Sequence, residues 1–237
     1  ILFFQAGGFE GMTAGFESKG MMNNMSVFGV LSFRDVINFT LPSFLLILGD
    51  ANMYQRFFAS DSVASAKKAT YLLFFAVVIL ESLIIANAWI SSSMITDIAK
   101  ESHVLIYAAY NFLPPLVGAV MLATIIGIII STADSFLLVP TTILINDIYL
   151  RYSNKKYSDK AIVTLSRLLV LLLGFFSYWV SRMFAADTTI FEKALYAFTI
   201  YGTAITPTLL AAFFWDKATN YGAICSIAVS YTHLRAH

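Results

Sequence analysis

The residues best placed to bind an ion lie in one long apolar run, from Leu116 to Ile148. The run carries a carboxylate, Asp134, near its middle, with hydroxyl side chains on both sides of it. About 20 apolar residues suffice to cross a bilayer, and an aspartate at the centre of such a helix costs roughly 2.5 to 3.5 kcal/mol. Charges kept at this depth usually mark a path for an ion or a substrate.

Helical spacing places several small and polar residues of this run on one stripe, because residues three or four apart share a helix face. The stripe consists of Thr124, Gly127, Ser131, Asp134, Ser135 and Thr142. A kink at Pro140 would also free the carbonyl of Phe136. Hydroxyls and loosened carbonyls at membrane depth suit a sodium ion. The alternative is a packing seam whose hydroxyls bond back to their own helix, and the stripe alone does not decide between them.

The composition predicts an all-α polytopic membrane protein. Hydrophobic residues make up 59% of the 237 positions and charged residues only 12%, against about 25% in ordinary globular chains. The mean hydropathy is +0.76. The net charge of +1 does not indicate a partner, and no basic run is dense enough to predict binding to nucleic acid. The single cysteine, Cys225, excludes an internal disulfide.

Hydropathy divides the chain into three parts. Residues 1–35 are predicted to be the end of a preceding span and an extracellular loop, Gln5 to Asp35. Residues 36–229 are predicted to hold five complete transmembrane helices and the start of a sixth, with a second loop from Ser91 to Pro115. The complete spans are about Val36 to Met53, interrupted by Pro42, then Tyr71 to Ile90, the central helix, Ile162 to Val180 and Ala194 to Trp215.

The last eight residues, 230–237, read SYTHLRAH and place charge where the sixth helix should continue. They resemble the peptide produced when sequencing-adapter DNA is read through as protein. We expect them to be a non-native tail and exclude them, including their two histidines, from functional inference.

Positive charge predicts the orientation of the spans. The richer side holds Arg56, Lys67, Lys68, Arg151, Lys155, Lys156, Lys160 and Lys217. The poorer side holds Lys19, Arg34, Lys100, Arg182 and Lys193. We therefore expect a multi-pass protein of the inner (plasma) membrane, whose central helix runs from outside to inside.

Enzyme chemistry is not expected, because the chain has no G-x-S-x-G, GxxxxGK or H-E-x-x-H motif. His103 is predicted to lie on a loop surface. Arg167 is near a helix end and can extend its charge to the interface. Glu81 lies deeper, where lining a pathway and pairing with another helix remain equally good interpretations.

Two motifs resemble the sodium:solute symporter family, which includes bacterial proline and sialic acid transporters and sodium–sugar cotransporters. The first, GDANMYQRFFASDSVASAKKA (Gly49 to Ala69), is similar to the family's helix end, small-residue turn and lysine-containing helix start. The second, ISTADSFLLVPTTILINDIYLRY (Ile130 to Tyr152), is similar to the family's sodium-site helix. The order of the motifs and the span between them also fit, so the resemblance extends from Val36 to Val229.

The resemblance implies a LeuT-like fold of two inverted five-helix repeats, of which this chain would hold most of the second. It implies sodium-coupled symport of a small organic solute, in a bilayer, by a protein of which this chain is a fragment. An alternative is a symporter-like membrane sensor fused to a signalling domain. A membrane-embedded enzyme is disfavoured, because no histidine or paired carboxylates face the central stripe.

The family's sodium ligands correspond to Ser131 and Thr132, with a backbone carbonyl contributed at Ile128. Ser135 and Asp134 lie one turn further, near positions that help form a second sodium site in some members.

The resemblance implies that three positions on the first predicted span face the solute: Ser43, Leu46 and Ile47. Leu46 and Ile47 are apolar where sugar carriers have aromatic residues, so a sugar is disfavoured. Asp50, at the end of this span, is expected to cap a helix or to pair with a basic partner.

Overall fold

The computed structural model describes residues 1–96, 103–153, 157–183 and 189–236. The described residues form helices and turns, without a β-strand, which confirms the all-α prediction. The chain divides into two compact units, Ile1–Val120 with Thr189–His237, and Met121–Thr188. Each unit is described by itself.

The helices in chain order are α1 Leu2–Gln5, α2 Gly8–Glu17, a 3₁₀ turn Met22–Met25, α3 Phe33–Gly49, α4 Ala51–Phe58, α5 Val63–Met94, α6 Val104–Asn111, α7 Pro115–Thr142 with a π-helical continuation Ile143–Leu150, α8 Asp159–Met183, α9 Ile190–Ala204, α10 Thr206–Phe214 and α11 Asn220–Ala236.

Five stretches are long and apolar enough to cross a membrane: Phe33–Phe58, Val63–Met94, Pro115–Leu150, Asp159–Met183 and Ile190–Phe214. They contain 25 to 36 residues, more than the roughly 20 that a bilayer requires. At most 17% of the most apolar part of any stretch is buried within the chain. Their apolar side chains therefore face outward, which suits a lipid environment and surfaces for other transmembrane segments.

Capping residues explain why two spans begin earlier than hydropathy predicts. The Ser32 hydroxyl accepts a hydrogen bond from the Asp35 backbone N–H at 3.3 Å, and the Asp35 carboxylate accepts one from the Ser32 N–H at 2.9 Å. Thr189 and Glu192 form the same reciprocal arrangement at the start of α9. Each pair satisfies N–H groups that the first helical turn leaves unpaired, so α3 begins at Phe33 and α9 at Ile190.

The two segments predicted as outer loops contain short helices, which the sequence analysis did not predict. In the first loop, Gly8–Glu17 forms α2, and its Met12 and Phe16 side chains are 0% and 1% exposed. The spacing of these apolar residues is helical, but the surrounding glycines obscured it. In the second loop, α5 continues to Met94, and Val104–Asn111 forms α6. The loop charges Asp97, Lys100 and Glu101 lie outside the described residues, as do Lys155 and Lys156.

Helix α2 and the turn after it dock on the C-terminal end of α5. The Lys19 ammonium donates to the carbonyls of Ser92 and Ser93, both at 2.7 Å. The Trp89 indole N–H donates to the Asn24 carbonyl at 2.8 Å. Partial burial lowers the pKa of the Lys19 ammonium from its usual value. A cation at this position satisfies carbonyls that the last helical turn leaves free.

Replacing Lys19 with methionine is expected to loosen this docking. The change keeps the length of the side chain but removes two charge-assisted hydrogen bonds, which at a partly exposed site are worth about 1 kcal/mol. Hydrogen exchange of the backbone amides in residues 19–25 should become about fivefold faster. Lys68→Met, which alters an exposed lysine on α5, is the control and should leave this exchange unchanged. Equal exchange in the parent and Lys19→Met would show that the lysine does not hold the segment.

Candidate functional site

The first predicted span is interrupted at Asp50 rather than at Pro42. Helix α3 passes through Pro42 and ends at Gly49, and α4 begins at Ala51. The extended backbone at Asp50, with φ −70° and ψ 112°, breaks the helix, and its carboxylate accepts a hydrogen bond from the Asn52 N–H at 3.0 Å. Proline removes only one helical hydrogen bond, whereas Asp50 starts a new helix by capping it. The capping role expected for Asp50 is therefore confirmed.

The last predicted span is also interrupted. Helix α9 ends at Ala204 and α10 begins at Thr206, with Ile205 between them at φ −95° and ψ −48°. Pro207 lies in the first turn of α10, where its missing N–H has no helical partner to lose. The span predicted from Ala194 to Trp215 is therefore present as Ile190–Phe214, with an irregularity at Ile205.

The two interruptions lie side by side, and we call them the paired breaks (residues 45–51 and 201–206). The Thr206 hydroxyl donates to the Leu45 carbonyl at 2.7 Å, and Thr206 is 0% exposed. A Cβ atom added at Gly49 would overlap the Thr206 hydroxyl, and one added at Gly202 would lie 2.8 Å from the Leu45 Cβ. Glycine at both positions is what allows the helices to approach so closely.

Side chains from both spans satisfy polar groups at the first break. The Tyr54 hydroxyl donates to the Leu48 carbonyl at 2.8 Å, and its ring stacks on Phe213 at 5.4 Å between centroids. The Tyr201 hydroxyl lies near the Ala51 backbone and the Asp50 carboxylate. The open end of α3 is thus held by hydrogen bonds and packing from α4, α9 and α10.

The predicted solute-facing residues lie on α3 in the two turns before the first break. Ser43, Leu46 and Ile47 share one helix face by their spacing. Ile47 is 56% exposed, while Ser43 and Leu46 are half-buried. The Ser43 hydroxyl donates to the Phe39 carbonyl at 3.2 Å and keeps its lone pairs available to accept a hydrogen bond.

The predicted sodium ligands lie on the exposed face of α7. Ile128, Ser131, Thr132 and Ser135 follow the spacing of a single face. The Ser135 hydroxyl donates to the Ser131 carbonyl at 3.1 Å. In the described part of the chain, the Ser131 and Thr132 hydroxyls have no hydrogen-bond partner, and both residues are exposed. At about 100° per residue, Asp134 points roughly 160° away from Thr132.

Hydroxyls further along α7 bond back to their own helix, as that of Ser135 does, which bears on the packing alternative. Thr141 and Thr142 donate to the carbonyls of Leu137 and Leu138, at 2.7 and 2.8 Å. The Thr141 and Thr142 hydroxyls thus donate their hydrogen bonds within their own helix, as expected for a packing seam. The helix continues through Pro140, and the irregularity predicted there appears instead as the π-helix Ile143–Leu150. Such segments are rare and occur frequently at functional sites.

Comparison with known proteins identifies the family. The sequence pattern of the Sodium:solute symporter family matches residues 1–229. The chain belongs to the sodium:solute symporter family. The resemblance carried by the two motifs is therefore confirmed, and the chain is a membrane protein of a transporter family.

Several relatives within this family are named as proline transporters. The Sodium/proline symporter of Haemophilus influenzae is 25% identical over 83% of this chain and 42% of its own length. The Osmoregulated proline transporter OpuE of Bacillus subtilis is 30% identical over 48% of this chain and 23% of its own length. The chain thus spans about two fifths of the length of the Haemophilus influenzae symporter. No solved structure gives a significant match.

Sequence reasoning missed the residues that join the paired breaks in this symporter-family protein. One signal was present, because a proline disfavours helical backbone in the residue before it, and Pro207 directly follows Thr206. Tyr54 and Tyr201 gave no such signal. Their roles depend on contacts between two spans that are far apart in sequence.

Proposed function

We propose that this chain is part of a sodium-coupled symporter that takes up a small organic solute, with proline as the first candidate. The observation that carries the proposal is the pair of hydroxyls at Ser131 and Thr132, which have no hydrogen-bond partner among the described residues and lie on an exposed face of a membrane-length helix. A hydroxyl without a hydrogen-bond partner in an apolar environment is costly, and an ion that it coordinates offsets that cost. Family membership supports sodium as that ion.

The proposed sodium site uses neutral oxygen atoms. Ser131 and Thr132 contribute hydroxyls, and Ile128 contributes its carbonyl. Ser135 lies on the same face and is the better candidate for a further ligand of this site, whereas Asp134 points away from Thr132 and stays a candidate for a second sodium site. We propose that the fold is LeuT-like, with this chain forming most of the second inverted repeat. The remaining sodium ligands then come from segments of the transporter outside this chain.

The proposed solute site lies beside the break between α3 and α4. The C-terminal end of α3 carries a partial negative charge and suits the cationic amino group of a zwitterion such as proline. Leu46 and Ile47 offer apolar surface to a hydrocarbon ring, while Ser43 offers a hydroxyl. This combination suits a small amino acid better than a sugar, which requires many hydrogen-bonding partners.

Coupling in this scheme is a difference in affinity between conformations. Sodium bound at Ser131 and Thr132 stabilises the outward-facing state, in which the solute site is complete. Such coupling free energies are typically 1 to 3 kcal/mol. The relatives named above are transporters, which supports this function over the sensor alternative.

Uptake into proteoliposomes tests the proposed solute. The protein that carries this chain is reconstituted and supplied with labelled proline, glucose or sialic acid, with and without an inward sodium gradient. We expect accumulation of proline only when the gradient is present. Accumulation of another solute instead of proline under the gradient would contradict proline as the solute but not sodium coupling. Uptake of every solute without a gradient would contradict sodium coupling.

A further inference from the structure

The Thr206 hydroxyl is unusual among the threonines of the described helices because it bonds to a different span. Thr203 donates to the Thr199 carbonyl at 2.7 Å, and Thr208 donates to the Ile205 carbonyl at 2.7 Å, both close in sequence. Thr206 instead reaches the Leu45 carbonyl, 161 residues away, at 2.7 Å. A completely buried hydroxyl that crosses between two spans fixes their relative position in a way that a back-bonded hydroxyl does not.

Both partners of this hydrogen bond lie close to a helix interruption. Leu45 is in the last turns of α3, directly before Leu46 and Ile47. Thr206 is the first residue of α10, directly after the break at Ile205. Gly49 and Gly202 flank the contact and bring the two backbones close together. The two breaks are therefore joined by a short, buried connection.

We propose that Thr206 is a positioning residue that makes the paired breaks move as one unit and sets the orientation of Leu46 and Ile47 toward the solute. The hydroxyl does not touch the solute; it acts through the Leu45 carbonyl. The first part of this inference concerns the fold alone, whereas the effect on the solute rests on the proposed function.

Two substitutions separate the hydroxyl from the volume of the side chain. Thr206→Val keeps the branched shape and removes the donor, while Thr206→Ser keeps the donor and removes a methyl group. The control is Thr203→Val, which removes a hydroxyl that bonds only within α9. We expect Thr206→Val to raise the KM for proline three- to tenfold with a smaller change in Vmax. Thr206→Ser and Thr203→Val should stay within twofold of the parent.

Hydrogen exchange provides a readout that does not require transport. In the purified protein, Thr206→Val should accelerate exchange of the backbone amides in residues 49–52 by three- to tenfold, while Thr206→Ser and Thr203→Val leave it unchanged. Unchanged exchange in Thr206→Val would overturn the link between the breaks. Accelerated exchange with an unchanged KM would overturn the positioning role.

The two readouts also distinguish this inference from the proposed function. If the parent takes up no solute under a sodium gradient, the proposed function fails, and the inferred role in solute binding fails with it. The exchange measurement then still decides whether Thr206 joins the breaks. A uniform loss of Vmax and thermal stability in both Thr206 variants, with KM unchanged, would show that the residue only fills space.

Discussion

Ser131→Ala and Thr132→Ala are each expected to reduce the apparent sodium affinity of uptake by tenfold or more, and together to abolish sodium-driven uptake. Each change removes one hydroxyl from the proposed ion site. Hydrogen bonds and similar contacts to a charged group are worth about 1.5 to 3 kcal/mol, which corresponds to a factor of roughly 10 to 100 in affinity. The measurement is the initial rate of proline uptake as a function of external sodium concentration.

The same helix supplies a matched control for these variants. Thr142→Ala removes a hydroxyl that already donates to the Leu138 carbonyl, so the sodium dependence of uptake should not change. If Thr142→Ala impaired uptake as strongly as Thr132→Ala, the effect would come from helix packing. Sodium affinity equal to that of the parent in both Ser131→Ala and Thr132→Ala would contradict the assigned site.

Gly49→Ala is expected to lower the rate of uptake at least tenfold. The added methyl group would overlap the hydroxyl of Thr206, which is completely buried and has little room to move. Overpacking of this kind costs about 1 to 3 kcal/mol and would force the paired breaks apart. Uptake should be measured together with the amount of protein in the membrane, so that loss of folding is separated from loss of transport.

A second substitution should partly reverse this effect. Gly49→Ala with Thr206→Ala removes the overlapping hydroxyl, so the double variant should be more active than Gly49→Ala alone. Gly174→Ala is the control, because a methyl group there meets the nearest side-chain atom, of Leu137, at an ordinary 3.7 Å. Full activity in Gly49→Ala, or no relief in the double variant, would contradict the close contact at the breaks.

Hydropathy was sufficient to predict the helical class and the approximate positions of the spans, because each span holds an apolar stretch of 18 residues with at most two charged residues. The ends were less predictable because they depend on side chains rather than hydropathy. Ser32 and Asp35 extend α3 to Phe33 through a capping arrangement that the sequence pattern S-x-x-D already contained. Helix α2 was not predicted, because its glycines lower the expected helical propensity. Burial of Met12 and Phe16 nevertheless stabilises it.

The candidate site also has features that were predictable from the sequence and features that were not. The face formed by Ile128, Ser131, Thr132 and Ser135 follows from helical spacing and from a motif that resembles the family. The interruption at Asp50 did not follow, because proline was the more obvious helix breaker and Pro42 proved compatible with α3. The hydrogen bond from Thr206 to Leu45 connects residues that no local pattern relates. It is a consequence of tertiary packing alone.

Measuring sodium entry with and without the solute tests the proposed sodium-coupled symport directly. Proteoliposomes containing the protein that carries this chain are given labelled sodium outside, and its entry is followed with and without external proline. We expect proline to accelerate sodium entry and the double variant Ser131→Ala/Thr132→Ala to lose this acceleration. Sodium entry that is the same with and without the solute, in a preparation that accumulates proline, would contradict sodium-coupled symport.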